Sequence, residues 1–130
     1  MTNISREEKG KVLERIKDCT NRGSYTVPDR EDKKNIKFRE KYGLDSENVK
    51  QILCSLTKSE LTKKGIDDNS LRHGANDVYF FECTRKLILA IDDECIEVSV
   101  CIYIKCLFRI IKQDNNLEHL LVISFHENEY

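Results

Sequence analysis

The sequence predicts an α+β protein in which N-terminal helices pack on a C-terminal antiparallel sheet of about four strands. Two patterns carry this expectation. Up to residue 64 the apolar residues recur at helical spacing behind capping signals, as Val12, Leu13, Ile16 and Cys19 do behind Ser5. From residue 77 onward they alternate with polar residues at the two-residue period of a strand, most clearly over 95–111. The 130 residues are the length of one domain, 1–130, with a helical part over about 1–64 and a sheet part over about 77–126.

The first helix is expected over 5–22, where Ser5 and Glu8 stand at capping-box spacing and Gly23 follows in the place of a left-handed cap. Pro28 holds Val27 in an extended conformation. A second, very polar helix over 29–42 has only Ile36, Phe38 and Tyr42 as apolar anchors and ends at Gly43. A third over 45–55 carries the tight stripe Val49, Ile52, Leu53 and Leu56, which marks it as the helix that packs on the sheet. Thr57 and Glu60 repeat the capping-box spacing, so a short helical turn is expected over 58–64. Residues 65–76 read as a loop rich in turn residues, and loops of this length are often functional. Strands then follow over 78–84, 86–91, 95–111 and 119–126, with a tight connection at 92–94 and a polar hairpin loop over 112–118.

The composition, 39% apolar and 35% charged, is that of a modest core under a charged shell. The longest apolar run is interrupted by Glu97, Lys105 and Arg109, too soon for a membrane span, and MTNISREEKGK lacks the apolar core of a secretory signal. The expected location is the cytoplasm, with no membrane partner. The net charge of −1 conceals a division: residues 1–64 carry 16 Lys and Arg against 11 Asp and Glu, whereas residues 65–130 carry 6 against 12. A nucleic-acid partner would therefore meet positive charge from the N-terminal half and from a few residues placed on the sheet. The six cysteines form no CxxC and no Cys/His pair at finger spacing. On a strand, Cys101 and Cys106 point to opposite faces, and Cys95 lies about 20 Å from Cys101 at ~3.3 Å per residue. They read as reduced thiols filling core volume, and no metal or cofactor is expected.

The strand over 95–111 sorts its residues by face. Its even positions, from Ile96 to Ile110, are uniformly apolar and are expected to look at the helices, leaving Tyr103, Lys105 and Arg109 on the other side. In the last strand Leu121, Ile123 and Phe125 form one face, and Leu120, Val122, Ser124 and His126 the other. If the two strands pair core to core, Ser124 and His126 join Tyr103 and Lys105. Cleaving RNA without a metal needs a base for the 2'-hydroxyl, an acid for the departing 5'-oxygen and positive donors for the phosphorane. A histidine performs either proton transfer near neutrality, and Tyr, Lys and Arg cover the other roles. On the residues alone, a strand-end histidine, an amphipathic strand face and a charged helix end at Lys63 and Lys64 are equally ordinary surface features.

The ordered set Tyr42-Gly43-Leu44, then Leu56-Thr57 followed by an acidic residue and Lys63, then Tyr103-Ile104-Lys105, then Val122-Ile123-Ser124-Phe125-His126-Glu127, resembles the MqsR-type mRNA interferase toxins of bacterial toxin–antitoxin modules. The likeness runs from about residue 10 to the C-terminus, and its last two motifs are the most specific. It implies a RelE-like fold, endoribonuclease activity on single-stranded mRNA and inhibition by a cognate antitoxin. It places the catalytic side chains at His126, Tyr103 and Lys63, with Lys64 one register away as the alternative. Lys64, Lys105, Arg109 and Ser124 are the expected substrate-binding residues. The family's first-strand glutamine has no counterpart near residues 77–81. Two other readings use the same face: a non-catalytic domain whose apolar stretch Val78-Tyr79-Phe80-Phe81 meets a protein partner, and an RNA-binding module in which Tyr79 or Tyr103 stacks a base.

Overall fold

The structure, a computed structural model, describes residues 4–29, 33–66, 77–111 and 117–128. Among these residues it is α+β, with three α-helices against one face of a five-stranded mixed sheet. The elements are α1 (Arg6–Asn21), β1 (Tyr25–Thr26), α2 (Lys34–Lys41), α3 (Ser46–Cys54), a 3-10 turn (Lys58–Glu60), β2 (Leu61–Ile66), β3 (Asp77–Ile91), β4 (Glu94–Ile111) and β5 (Leu117–Glu127). The strand order is β1-β5-β4-β3-β2, with β1 parallel to β5 and every other pair antiparallel. The four-stranded, wholly antiparallel sheet expected from the sequence is thus corrected to five strands of mixed direction.

Local chemistry explains most boundaries. Ser5 Oγ accepts from Glu8 N at 3.1 Å to start α1, and Gly23, at φ +71°, lets Ser24 N reach back to Cys19 O at 2.8 Å to end it. Asp45 and Asn48 form a reciprocal capping box on α3. At residue 57 the expected helical turn stops after three residues: Thr57 N donates to Glu60 Oε1 at 2.8 Å, but Leu61 then enters the core as a strand residue, 1% exposed. Lys63 and Lys64 therefore lie on an edge strand, not on a helix end. The two strands expected over 78–84 and 86–91 are one, β3. Arg85 causes no break because its side chain turns to the helix side and bonds Ser55 and Glu60. Asp92 and Asp93, both at positive φ, close the β3–β4 hairpin as a type I′ turn does. The second helix is shorter than expected, and residues 30–32 of its anticipated start lie outside the described residues, as do 67–76 and 112–116 of the two loops.

The core lies between the helices and one face of the sheet: Val12, Ile16, Phe38, Val49 and Leu53 pack against Phe81, Ile102, Ile104, Val122 and Phe125. Cys19, Cys83 and Cys106 are buried in it. Burial pushes the Cys83 thiol up to about 11 and that of Cys106 to about 12, so both are held as unreactive thiols. The even positions of β4 enter the core from Val100 to Phe108, but Ile96 and Ile110 at its ends are exposed, because the strand outruns the helices.

Two bulges shift the face assignment. In β5, Ser124 pairs with Lys105 and Val122 with Cys106, so Ile123 is the extra residue. Leu120 and Val122 thereby join Phe125 on the core side, where alternation had placed them opposite. Leu121 and Ile123 join Val78, Phe80 and Leu107 in a small second cluster on the other face. In β2, Thr62 is the extra residue between Leu61, which faces Phe81, and Lys63, which faces Phe80.

No helix among the described residues is long and apolar enough to cross a membrane.

Candidate functional site

The sheet face turned away from the helices holds two parallel rows of side chains, set by cross-strand register. Glu82, Tyr103 and His126 stand opposite one another on β3, β4 and β5. In the next row stand Lys63, Phe80, Lys105 and Ser124. Directly paired residues on adjacent strands have Cβ atoms about 5 Å apart, and the rows are two residues, about 7 Å, apart. The rings confirm the closeness: Tyr103 and His126 have centroids 5.5 Å apart, and Phe80 and Tyr103 6.3 Å. The Phe80 ring lies between two ammonium groups, with Lys63 Nζ 4.6 Å and Lys105 Nζ 5.7 Å from its centroid.

The hydrogen bonds fix which atoms are presented. His126 Nδ1 lies 3.0 Å from Glu127 O; a carbonyl only accepts, so Nδ1 carries a hydrogen and Nε2 is the nitrogen left for proton transfer. Glu127 turns to the other face, where Tyr42 Oη donates to it at 2.9 Å and Lys41 Nζ at 3.2 Å, so it is no partner for His126. Glu82 accepts from Asn128 Nδ2 at 3.2 Å, and Asn128 is itself anchored by its backbone N–H on Cys101 O at 2.8 Å. The result is an exposed carboxylate and an imidazole flanking a phenol, with two ammonium groups in the adjoining row.

Of the residues expected from the sequence, His126, Tyr103, Lys63 and Lys105 are brought together. Ser124 shares the face but is buried, 2% exposed, and stands behind the surface. Lys64 does not belong: its pairing with Tyr79 puts it on the helix side, where Nζ bonds Glu8 at 2.7 Å, which raises its pKa. Arg109 is four residues from Lys105, about 13 Å along the strand, beyond the Leu107–Leu121 pair, so it lies outside the cluster. It stands opposite His119, whose ring nitrogens lie 3.0 Å from Ser24 Oγ and 2.8 Å from Thr26 Oγ1. Burial, then the charges of Arg109 and Arg22, hold the His119 pKa below the ordinary histidine value. Tyr79 is unavailable for base stacking, being buried 5.9 Å from the Phe108 ring on the helix side. Val78 and Phe81 are buried as well, which leaves Phe80 as the accessible part of the stretch once expected to meet a partner.

Sequence reasoning missed Glu82 and a set of lysines on α2, and it named Phe80 only as part of an apolar stretch. The helix lies along the edge of β5 that β1 leaves unpaired. There the buried Asn35 side chain imitates a strand: Nδ2 donates to Ile123 O at 2.9 Å and Oδ1 accepts from Phe125 N at 2.8 Å. This seating forms a cavity of about 190 Å³ lined by Lys34, Lys37, Phe38, Lys41, His126 and Glu127. The spacing of lysines 34, 37 and 41 was legible as one helix face; what they would adjoin was not.

Compared with known proteins, the chain matches no family model, no curated protein and no solved structure.

Proposed function

We propose that the chain is the toxin of a bacterial type II toxin–antitoxin module, with a RelE-like fold, that cleaves single-stranded mRNA by metal-independent transesterification in the cytoplasm and is restrained by a cognate antitoxin. The resemblance of its motifs to MqsR-type interferases suggests the class. The observation that carries the chemistry is the cross-strand row Glu82, Tyr103, His126 beside Lys63 and Lys105.

In this reading Glu82 takes the proton of the 2'-hydroxyl, the 2'-oxygen attacks phosphorus, and the bond to the 5'-oxygen breaks. His126, protonated, gives its Nε2 proton to that departing oxygen. The products are a 2',3'-cyclic phosphate and a 5'-hydroxyl. Tyr103 and the ammonium groups of Lys105 and Lys63 donate to the non-bridging oxygens as charge develops, the role in which fixed donors act most strongly.

A second reading, RNA binding without cleavage, draws support from Phe80, whose ring flanked by Lys63 and Lys105 suits a stacked base beside phosphate contacts. Induced expression separates the two: the nuclease reading expects growth arrest with new 5'-hydroxyl ends in mRNA, abolished by Glu82→Gln. Arrest without new ends, or no arrest, is the result that sinks it.

A further inference from the structure

The row that includes His126 continues off the sheet. Beyond β5 comes α2, held by Asn35, and its lysines 34, 37 and 41 approach His126 around the 190 Å³ cavity. Among the described residues that line the cavity, three are lysines and one is a carboxylate. The Glu127 carboxylate is committed to Lys41 at 3.2 Å and to the Tyr42 hydroxyl at 2.9 Å. Lys37 is exposed and has no carboxylate partner among the described residues. His126 is among the residues that line the cavity, and so is Phe38, which is buried with its ring 5.9 Å from that of Phe125.

We infer, on the basis of the nuclease reading above, that this cavity is the subsite for the backbone phosphate immediately 3' of the scissile one, so that the RNA strand crosses the sheet perpendicular to its strands. Cations occur on both sides of this face, Lys63 on β2 in the adjoining row and the α2 lysines beyond β5, and β2 to β5 spans three strand gaps, roughly 14 Å at about 4.8 Å each. His126 fixes the polarity. As the acid it meets the 5'-oxygen of the leaving nucleotide, and that nucleotide continues through its own 3'-oxygen to the next phosphate. The group next outward from His126 is the α2 cavity, so the 3' side of the substrate lies there and the 5' side lies over Phe80 and Lys63. The carboxylate already in the cavity is bound to Lys41, which leaves Lys37 as the principal contact and Lys34 as its neighbour.

The test uses the full-length protein and short oligonucleotides carrying a 2'-deoxy sugar at the cleavage position, so that binding is read without turnover. A two-nucleotide ligand is compared with the same ligand bearing an added 3'-phosphate, and with one bearing an added 5'-phosphate, by competition against a labelled strand. The expected result is several-fold tighter binding from the 3'-phosphate in wild type. That gain disappears in Lys37→Ala and Lys37→Glu, while the gain from the 5'-phosphate survives in both. Lys37 is solvent-exposed, so both variants should fold, which circular dichroism verifies. An unchanged 3'-phosphate gain in Lys37→Glu, or loss of the 5'-phosphate gain instead, overturns the subsite and its polarity. Cleavage of the matching all-ribose strand is assayed in the same preparation. Absence of cleavage with an intact, Lys37-dependent gain refutes the nuclease reading and leaves the binding path standing.

Discussion

Replacing Asn35 by alanine removes the device that seats α2 on β5. Asn35 is fully buried and makes three hydrogen bonds, to Pro28 O at 2.8 Å, Ile123 O at 2.9 Å and Phe125 N at 2.8 Å. Alanine leaves the Phe125 amide and the Ile123 carbonyl without their partner, and each buried group stripped in this way costs ~1–3 kcal/mol. Because the edge of β5 lies near solvent, the lower half of the combined range applies, about 2–4 kcal/mol of a total that is on the order of 5–15 kcal/mol. For a domain of this size that lowers Tm by on the order of 10 °C. Urea denaturation followed by circular dichroism measures the loss directly. Asn35→Asp should not rescue it at neutral pH, since a carboxylate keeps the acceptor for Phe125 but faces two carbonyls. A loss below about 1 kcal/mol in Asn35→Ala would refute the strand-mimic argument.

Four further outcomes follow from the geometry. Lys63→Ala should weaken RNA binding and reduce the slope of its salt dependence by about one, whereas Lys64→Ala should leave that slope unchanged; equal slopes in the two variants, measured by titration at several salt concentrations, contradict their placement on opposite faces. Lys64→Ala should lower stability by no more than about 1 kcal/mol in denaturant unfolding, because its pair with Glu8 is partly exposed. Tyr103→Phe should lower the cleavage rate if the hydroxyl donates to the phosphorane; full activity in Tyr103→Phe with loss in Tyr103→Ala leaves only stacking. His119 has a folded pKa below its unfolded value of about 6.5, so the unfolded chain takes up its proton first, and stability present above pH ~6.5 should fall as the pH drops through the depressed value. His119→Gln should flatten that fall, as Tm measured between pH 7.5 and 5 will report.

The parts of the fold legible in the sequence were those written in local chemistry. Ser5 with Glu8 and Asp45 at the head of the Val49 stripe announced α1 and α3, and the alternation from Val98 to Phe108 announced β4. The same alternation placed Tyr103 and Lys105 on the open face, and pairing brought Ser124 and His126 beside them. What was illegible depended on long-range register. The bulges at Thr62 and Ile123 have no sequence signature, yet the first turns Lys63 toward Phe80 and the second moves Leu120 and Val122 into the core. Glu82 was invisible because its importance comes from standing opposite Tyr103, a relation between residues 21 positions apart in the chain. Asn35 looked like one polar residue on a polar helix, and only the unpaired edge of β5 makes it structural.

The central claim, that this sheet face cleaves RNA by paired proton transfers, is tested most directly by incubating purified protein with a defined single-stranded RNA and resolving the product ends. Wild type should yield 2',3'-cyclic phosphate and 5'-hydroxyl ends, and His126→Ala, still folded because a half-buried edge histidine supports little of the core, should be slower by about 10²–10⁴. A His126→Ala variant that cleaves at the wild-type rate, or a wild-type protein that leaves the RNA intact, contradicts the account.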